Sequence, residues 1–159
     1  MQALINICLT VVTFLGMEWV AWFTHKYIMH GWLWKLHKDH HVKEEGFFEK
    51  NDFFFLIFAT PSLLLFYFGA ENNFDFRVWI GLGIALYGIA YFVVHDIFIH
   101  QRFKILKLTS NPYLKAIRKA HKTHHKYLTK EQGECFGMLV VPLKYYLAAR
   151  KEKAGKNLL

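Results

Sequence analysis

Three stretches almost free of charge set the first limit on how this chain can fold. Residues 3–24 carry one charge, Glu18; residues 53–70 (FFFLIFATPSLLLFYFGA) and 78–94 (VWIGLGIALYGIAYFVV) carry none. At ~1.5 Å rise per residue each run can cross ~30 Å of hydrocarbon as a helix. In 159 residues, three such runs leave too little polar sequence to cover them in water. The chain is therefore expected to be an all-α integral membrane protein, one domain over residues 1–159. The first run lacks a basic start and a small-residue cleavage site, so it is expected to remain as a span rather than leave as a signal peptide. Residues 134–149 (ECFGMLVVPLKYYLAA) are interrupted by Pro142 and Lys144, and are expected to lie on the surface rather than make a fourth crossing.

The charge is segregated as strongly as the apolarity. Of twenty Lys and Arg, five lie in residues 26–52, fourteen follow His100, and only Arg77 remains. The positive-inside rule makes the segments 25–52 and 95–159 cytoplasmic. A net charge of +8 next to spans reads as attraction to anionic membrane lipid, not as nucleic-acid binding. Gly81, Ala85 and Gly88 form a small-residue stripe suited to close helix packing. Pro61 predicts a kink, Gly31 a helix stop, and Asn111-Pro112 a capped helix start.

All ten histidines fall in four clusters: His25-x4-His30, His37-x2-His40-His41, His95-x4-His100 and His121-x2-His124-His125. The same pair of motifs is thus written twice. Between the second and third clusters the chain crosses the bilayer twice, which returns all four to one face. Imidazole is the commonest neutral ligand for transition metals, and ten imidazoles suit two ions of high coordination number. On a helix, residues i, i+3 and i+4 share a face, so each His-x2-His-His triple is expected to converge. The i, i+5 pairs lie ~140° apart on an α-helix and are expected to serve different ions. Cys8 and Cys135 fall outside the clusters and suggest neither a disulfide framework nor a zinc site.

About five imidazoles per ion with open positions suit iron; zinc or another metal could occupy the site in a purified sample. Asp39 and Asp96 are candidates to accept an imidazole N–H and fix the ring; their alternative is helix-surface polarity. Glu18 is either functional inside its span or wetted near its end. Trp32 and Trp34 are expected at the membrane interface. A metal pair at the cytoplasmic ends of apolar helices suits O2-dependent oxidation of a lipid C–H bond. With no Gly-x-Gly-x-x-Gly fingerprint, electrons would come from an external reductant. A metal transporter is the rival class, but its ligands would belong near the bilayer midplane.

These clusters, in this order, resemble the fatty-acid hydroxylase superfamily of membrane di-iron oxygenases. HKYIMHGWLWKLHKDHH (25–41), GFFEKND (46–52), HDIFIHQRF (95–103), YLKAIRKAHKTHHK (113–126) and ECFGMLV (134–140) narrow the resemblance to the bacterial β-carotene 3-hydroxylases. The resemblance implies hydroxylation of β-ionone rings at C3, taking β-carotene through β-cryptoxanthin to zeaxanthin. It also implies a bacterial inner-membrane location, two Fe ions, O2 as co-substrate and a ferredoxin-type electron donor. As metal ligands it implies His25, His30, His37, His40, His41, His95, His100, His121, His124 and His125. The alternative is a di-iron hydroxylase or desaturase of another membrane lipid, such as an acyl chain or a sterol.

Overall fold

The computed structural model describes residues 1–42, 45–106 and 108–156. The basic segments 25–52 and 95–159 therefore include residues 43, 44, 107 and 157–159, which lie outside the described residues. The described residues form helices and connecting segments, with no strand. Helix α1 (Gln2–Phe23) runs without interruption into a π-helical segment, π1 (Thr24–Trp32), and then α2 (Trp34–His41). A 3-10 turn (Lys50–Asp52) leads into α3 (Phe53–Glu71). Helix α4 (Phe76–Tyr91) likewise passes into a π segment, π2 (Phe92–Ile99), and α5 (Pro112–Lys126) and α6 (Leu143–Lys156) follow. Three helical stretches, Gln2–Trp32, Lys50–Glu71 and Phe76–Ile99, are long and apolar enough to cross a membrane. They contain the three expected spans, and residues 134–149 add no further one.

Helix α4 is the centre of this bundle because its glycines open both of its sides. Gly81 and Gly83 are ~200° apart on the helix. A Cβ on Gly81 would lie 3.1 Å from the Ser62 carbonyl of α3, and one on Gly83 would lie 2.7 Å from the Thr10 carbonyl of α1. The expected stripe of Gly81, Ala85 and Gly88 is corrected accordingly. Gly88 has nothing within 4 Å, and the close approach to α1 is made at Gly83. Polar ties set the register: Ser62 Oγ donates to the Gly81 carbonyl (2.8 Å) and Thr10 Oγ1 to the Trp79 carbonyl (3.2 Å). In hydrocarbon such bonds replace those that water would supply. Helices α1 and α4 consequently run parallel, with residues 10 and 18 beside 79 and 87, and both end in their histidine pairs.

The remaining helices close over that end. Asn111 caps α5 as expected, its side chain accepting from the N–H groups of Tyr113 and Leu114. Helix α5 buries Ala116 and Ala120 against Tyr145 and Ala149 of α6, and Ile117 against Phe98 and Ile99 of π2. Arg118 locks the same junction, donating to the carbonyls of Phe98 (2.8 Å) and Leu106 (3.0 Å). Gly31 breaks the first long helix with non-helical torsions (φ −116°, ψ −121°), and Pro61 is accommodated inside α3.

Candidate metal centre

His25 and His30 lie on π1, and His95 lies on π2 with His100 at its C-terminal cap. A π-helix bonds N–H to the carbonyl five residues back, so residues five apart stand one above the other. In π1 the Leu33 N–H reaches the Ile28 carbonyl at 3.0 Å, and in π2 the His100 N–H reaches the His95 carbonyl itself at 2.9 Å. Gln101 ends π2 in the left-handed region (φ 57°), and its amide donates to the carbonyls of Ile97 and Phe98. The expected separation of these pairs onto different ions is thereby corrected. His25 and His30 face one point, and His95 and His100 another.

The triples behave in the opposite way. His40 and His41 are consecutive, leave α2 ~100° apart, and go to different points. The first group is His25, His30, His37, His41 and His124; the second is His40, His95, His100 and His121. Within each group the ligand atoms lie within 4.8 Å of one another. His125 lies beside the second group, its Nε2 2.9 Å from that of His121. With His125 counted, each group takes four histidines from one copy of the repeated motif pair and one from the other, His124 or His40. The repeat in the sequence thus becomes a pseudo-two-fold arrangement of two histidine cages, five rings in the first and four with His125 alongside in the second. They touch where the rings of His41 and His125 stack at 4.2 Å.

The ring nitrogens divide consistently between inside and outside. Nε2 atoms meet at 3.0 Å (His25–His37), 3.2 Å (His30–His124), 3.1 Å (His41–His37 and His40–His95) and 2.8 Å (His100–His121). Nδ1 atoms point outward to fixed acceptors: His25 to the Phe136 carbonyl (2.9 Å), His30 to that of Leu128 (3.0 Å) and His124 to that of Glu134 (3.1 Å). A carbonyl oxygen has no proton to give, so these three Nδ1 atoms carry the hydrogen and their Nε2 atoms are bare lone pairs. His30 and His124 therefore aim two lone pairs at each other across 3.2 Å. No neutral hydrogen bond can form there; a cation between them removes the repulsion. With metal–imidazole bonds of ~2.1 Å, neighbouring ligands at right angles would lie ~3.0 Å apart, the spacing found. The donor set fits a metal ion in each cage.

Burial keeps these rings neutral. It drives His37 and His100 down to about 3, with Asn51 opposing at His37 and the positive field of His125 adding at His100. His124 falls to about 2 and His125 to about 4, again chiefly through burial and then through His30. His40, His41 and His121 are lowered for the same reason.

Two features of the surroundings carry no histidine and are marked in the sequence by the motifs at 46–52 and 134–140. The first is the Glu49–Asp52 stretch. Glu49 Oε2 accepts from His40 Nδ1 at 2.9 Å, and Asn51 Oδ1 lies 2.6 Å from His37 Nδ1. Asp96, a sequence candidate, approaches His95 Nδ1 at 3.4 Å. Arg102 gathers Asp52 (2.9 Å), Asp96 (3.4 Å) and Glu49 (3.5 Å) around one guanidinium. Asp39, the other candidate, is turned to the loop instead, with Oδ2 accepting the Lys50 N–H. The second feature is the segment 128–140, whose backbone carbonyls supply the three fixed acceptors. Its signal in the sequence was the intramembrane acid Glu18, which binds it. Trp32 is largely exposed, as an interfacial residue would be, whereas Trp34 packs on His30 with ring centroids 5.2 Å apart.

Residues 10–143 match the fatty acid hydroxylase family, and the chain belongs to it. Among its relatives is a protein named beta-carotene hydroxylase from Pantoea ananas, 41% identical over 94% of this chain and 86% of that relative. Another of the same name, from Pseudescherichia vulneris, is 38% identical over 86% of this chain and 77% of its own length. Beta-carotene 3-hydroxylase 2 of Arabidopsis thaliana is 35% identical over 94% of this chain but only 50% of the plant protein. No solved structure matches.

Proposed function

We infer that this chain is a carotenoid hydroxylase that inserts one oxygen atom from O2 at C3 of the β-ionone rings of β-carotene. All ten histidines would hold two iron ions, five to each. One observation carries the reading: bare Nε2 atoms converge in two buried cages at the ends of two helices long enough to span a bilayer. The relatives' names support the carotenoid as substrate over an acyl chain or a sterol. Bound there, iron would supply the activation of O2 and the oxidation of an unactivated C–H bond.

The chain's own part is positioning and exclusion. Carbonyl and carboxylate acceptors fix each ring they touch, so the cages need little reorganisation on loading. Burial keeps protons off the ligand atoms. A cleft of about 410 Å³ beside His30, rimmed by Lys38, Lys130 and Glu131, gives water-side access to the first cage. It suits approach by an external electron donor of ferredoxin type. Trp19, Phe23 and Tyr27 form an exposed aromatic row on the same helical stretch that carries His25 and His30, a surface for a hydrophobic substrate arriving from lipid. The distribution of Lys and Arg supports a cytoplasmic position for the cages in a bacterial inner membrane.

The test is expression in cells that accumulate β-carotene and contain no hydroxylase, supplied with 18O2. Zeaxanthin should appear by way of β-cryptoxanthin, with 18O in each hydroxyl group. Hydroxylated acyl lipid or sterol without hydroxylated carotenoid would overturn the assignment.

A further inference from the structure

The pseudo-two-fold relation between the cages permits a comparison of like with like, and the outward partners break it. His25 and His95 open the two i, i+5 pairs. His25 Nδ1 meets a neutral carbonyl, that of Phe136, whereas His95 Nδ1 meets the Asp96 carboxylate. His124 and His40 are the two histidines contributed across the motif repeat. His124 Nδ1 meets the Glu134 backbone carbonyl, whereas His40 Nδ1 meets the Glu49 carboxylate. The residue following the pair-opening histidine also changes sign, Lys26 on one side and Asp96 on the other. One guanidinium, Arg102, stands among the three carboxylates of Glu49, Asp52 and Asp96.

A carboxylate accepting an imidazole N–H draws the proton away from the ring and makes the opposite nitrogen a stronger donor than a neutral carbonyl does. More strongly donating ligands favour the ion of higher charge. We propose that Glu49, with Asp96, makes the two metal positions chemically unequal: the cage of His40 and His95 binds metal more tightly and holds the more oxidised ion, while the cage of His25 and His30 holds the more reducible one. Glu49 touches no metal; it acts through His40 and is a positioning and tuning residue. The inference rests on the two-metal reading of the site, and the experiment separates the two.

Full-length protein in detergent micelles is loaded anaerobically with 57Fe2+ and examined by Mössbauer spectroscopy. Half the iron is then oxidised by ferricyanide, one electron passing from one Fe2+ to each ferricyanide ion. Two unequal ferrous signals, only one of which turns ferric, are expected. In Glu49→Gln, which keeps a neutral acceptor for His40, the ferric signal should spread over both positions. The tighter of two Fe2+ binding steps should also weaken by ~10-fold or more. Asn51→Asp places a carboxylate beside His37 of the other cage and should narrow the difference from the opposite direction; it carries the test if Glu49→Gln fails to fold. A single ferrous signal oxidised evenly in the parent, or a Glu49→Gln protein with its selectivity intact, would overturn the inference while leaving the two-metal site standing. Fewer than two bound irons would sink both.

Discussion

The Glu18 carboxylate occupies the space that a side chain at Gly137 would need: a Cβ there would lie 2.6 Å from Oε1. That closeness lets Oε1 accept three successive backbone N–H groups, from Met138 (3.0 Å), Leu139 (2.9 Å) and Val140 (2.9 Å), while Tyr87 donates to Oε2 (2.7 Å). Such a nest of N–H groups is an anion site, and here the anion belongs to the first span. The clamp ties α1 and α4 to the segment whose Glu134 and Phe136 carbonyls orient His124 and His25. Glu18→Ala takes the acceptor from four donors, the three N–H groups and the Tyr87 hydroxyl, and each that is shielded from water costs ~1–3 kcal/mol. It should lower the thermal midpoint clearly and reduce retained iron. Glu18→Gln, which preserves an acceptor oxygen, should fall between it and the parent, and Gly137→Ala should resemble Glu18→Ala. Unchanged melting and iron content in Glu18→Ala would show the clamp to be idle.

Gly83 is a second close approach with a measurable cost. A methyl group there would sit 2.6 Å from Thr13 Cβ and 2.7 Å from the Thr10 carbonyl, so α1 and α4 must separate. Gly83→Ala is expected to destabilise by ~1–3 kcal/mol, the usual penalty of overpacking. Gly88→Ala, where nothing lies within 4 Å, should be neutral or slightly stabilising. Thermal unfolding of the two variants in the same detergent gives the comparison; equal midpoints would contradict the assigned register.

What the sequence revealed and what it concealed follow from the physics of each feature. The spans were legible because charge is expensive in hydrocarbon, and the gathering of ten histidines followed from counting crossings. The distribution of histidines between cages was hidden by assuming α-helical geometry throughout; the i, i+5 spacing of His25/His30 and His95/His100 is itself the signature of a π turn. Carbonyl acceptors such as those of Leu128, Glu134 and Phe136 leave no mark in residue type, because every residue carries one. Glu49 and Asn51 were visible only as part of a family motif, since nothing local shows which histidine they will meet.

Acid should unfold the metal-free protein by way of its buried histidines. His37 and His100 are held at about 3, against an ordinary 6.5, so between these values the unfolded chain binds more protons than the folded one. Stability from these groups is therefore complete above pH ~6.5 and is lost as pH falls toward ~3, on the order of a few kcal/mol per buried ring. A helicity titration of metal-free protein should show loss beginning below pH ~6.5. Divalent metal bound at the same nitrogen atoms would compete with protons and should move the transition to lower pH. A metal-free transition confined to the carboxylate range near pH 4 would contradict the burial assigned to these histidines.

The last expectation separates the two cages by stoichiometry. If the π turns hold each i, i+5 pair on one ion, His25→Ala with His30→Ala strips two of five nitrogens from a single cage, as His95→Ala with His100→Ala does from the other. Each double variant should then retain about one iron per chain and lose product formation. The pairing His30→Ala with His100→Ala instead removes one ligand from each cage, and both ions should remain with weakened affinity, by ~10-fold or more for each nitrogen lost. If the pairs were divided between ions as α-helical geometry predicts, these outcomes would exchange: the within-pair variants would keep two weakened irons. Iron analysis after identical anaerobic loading decides between the geometries without relying on activity, because every one of these variants is expected to be inactive.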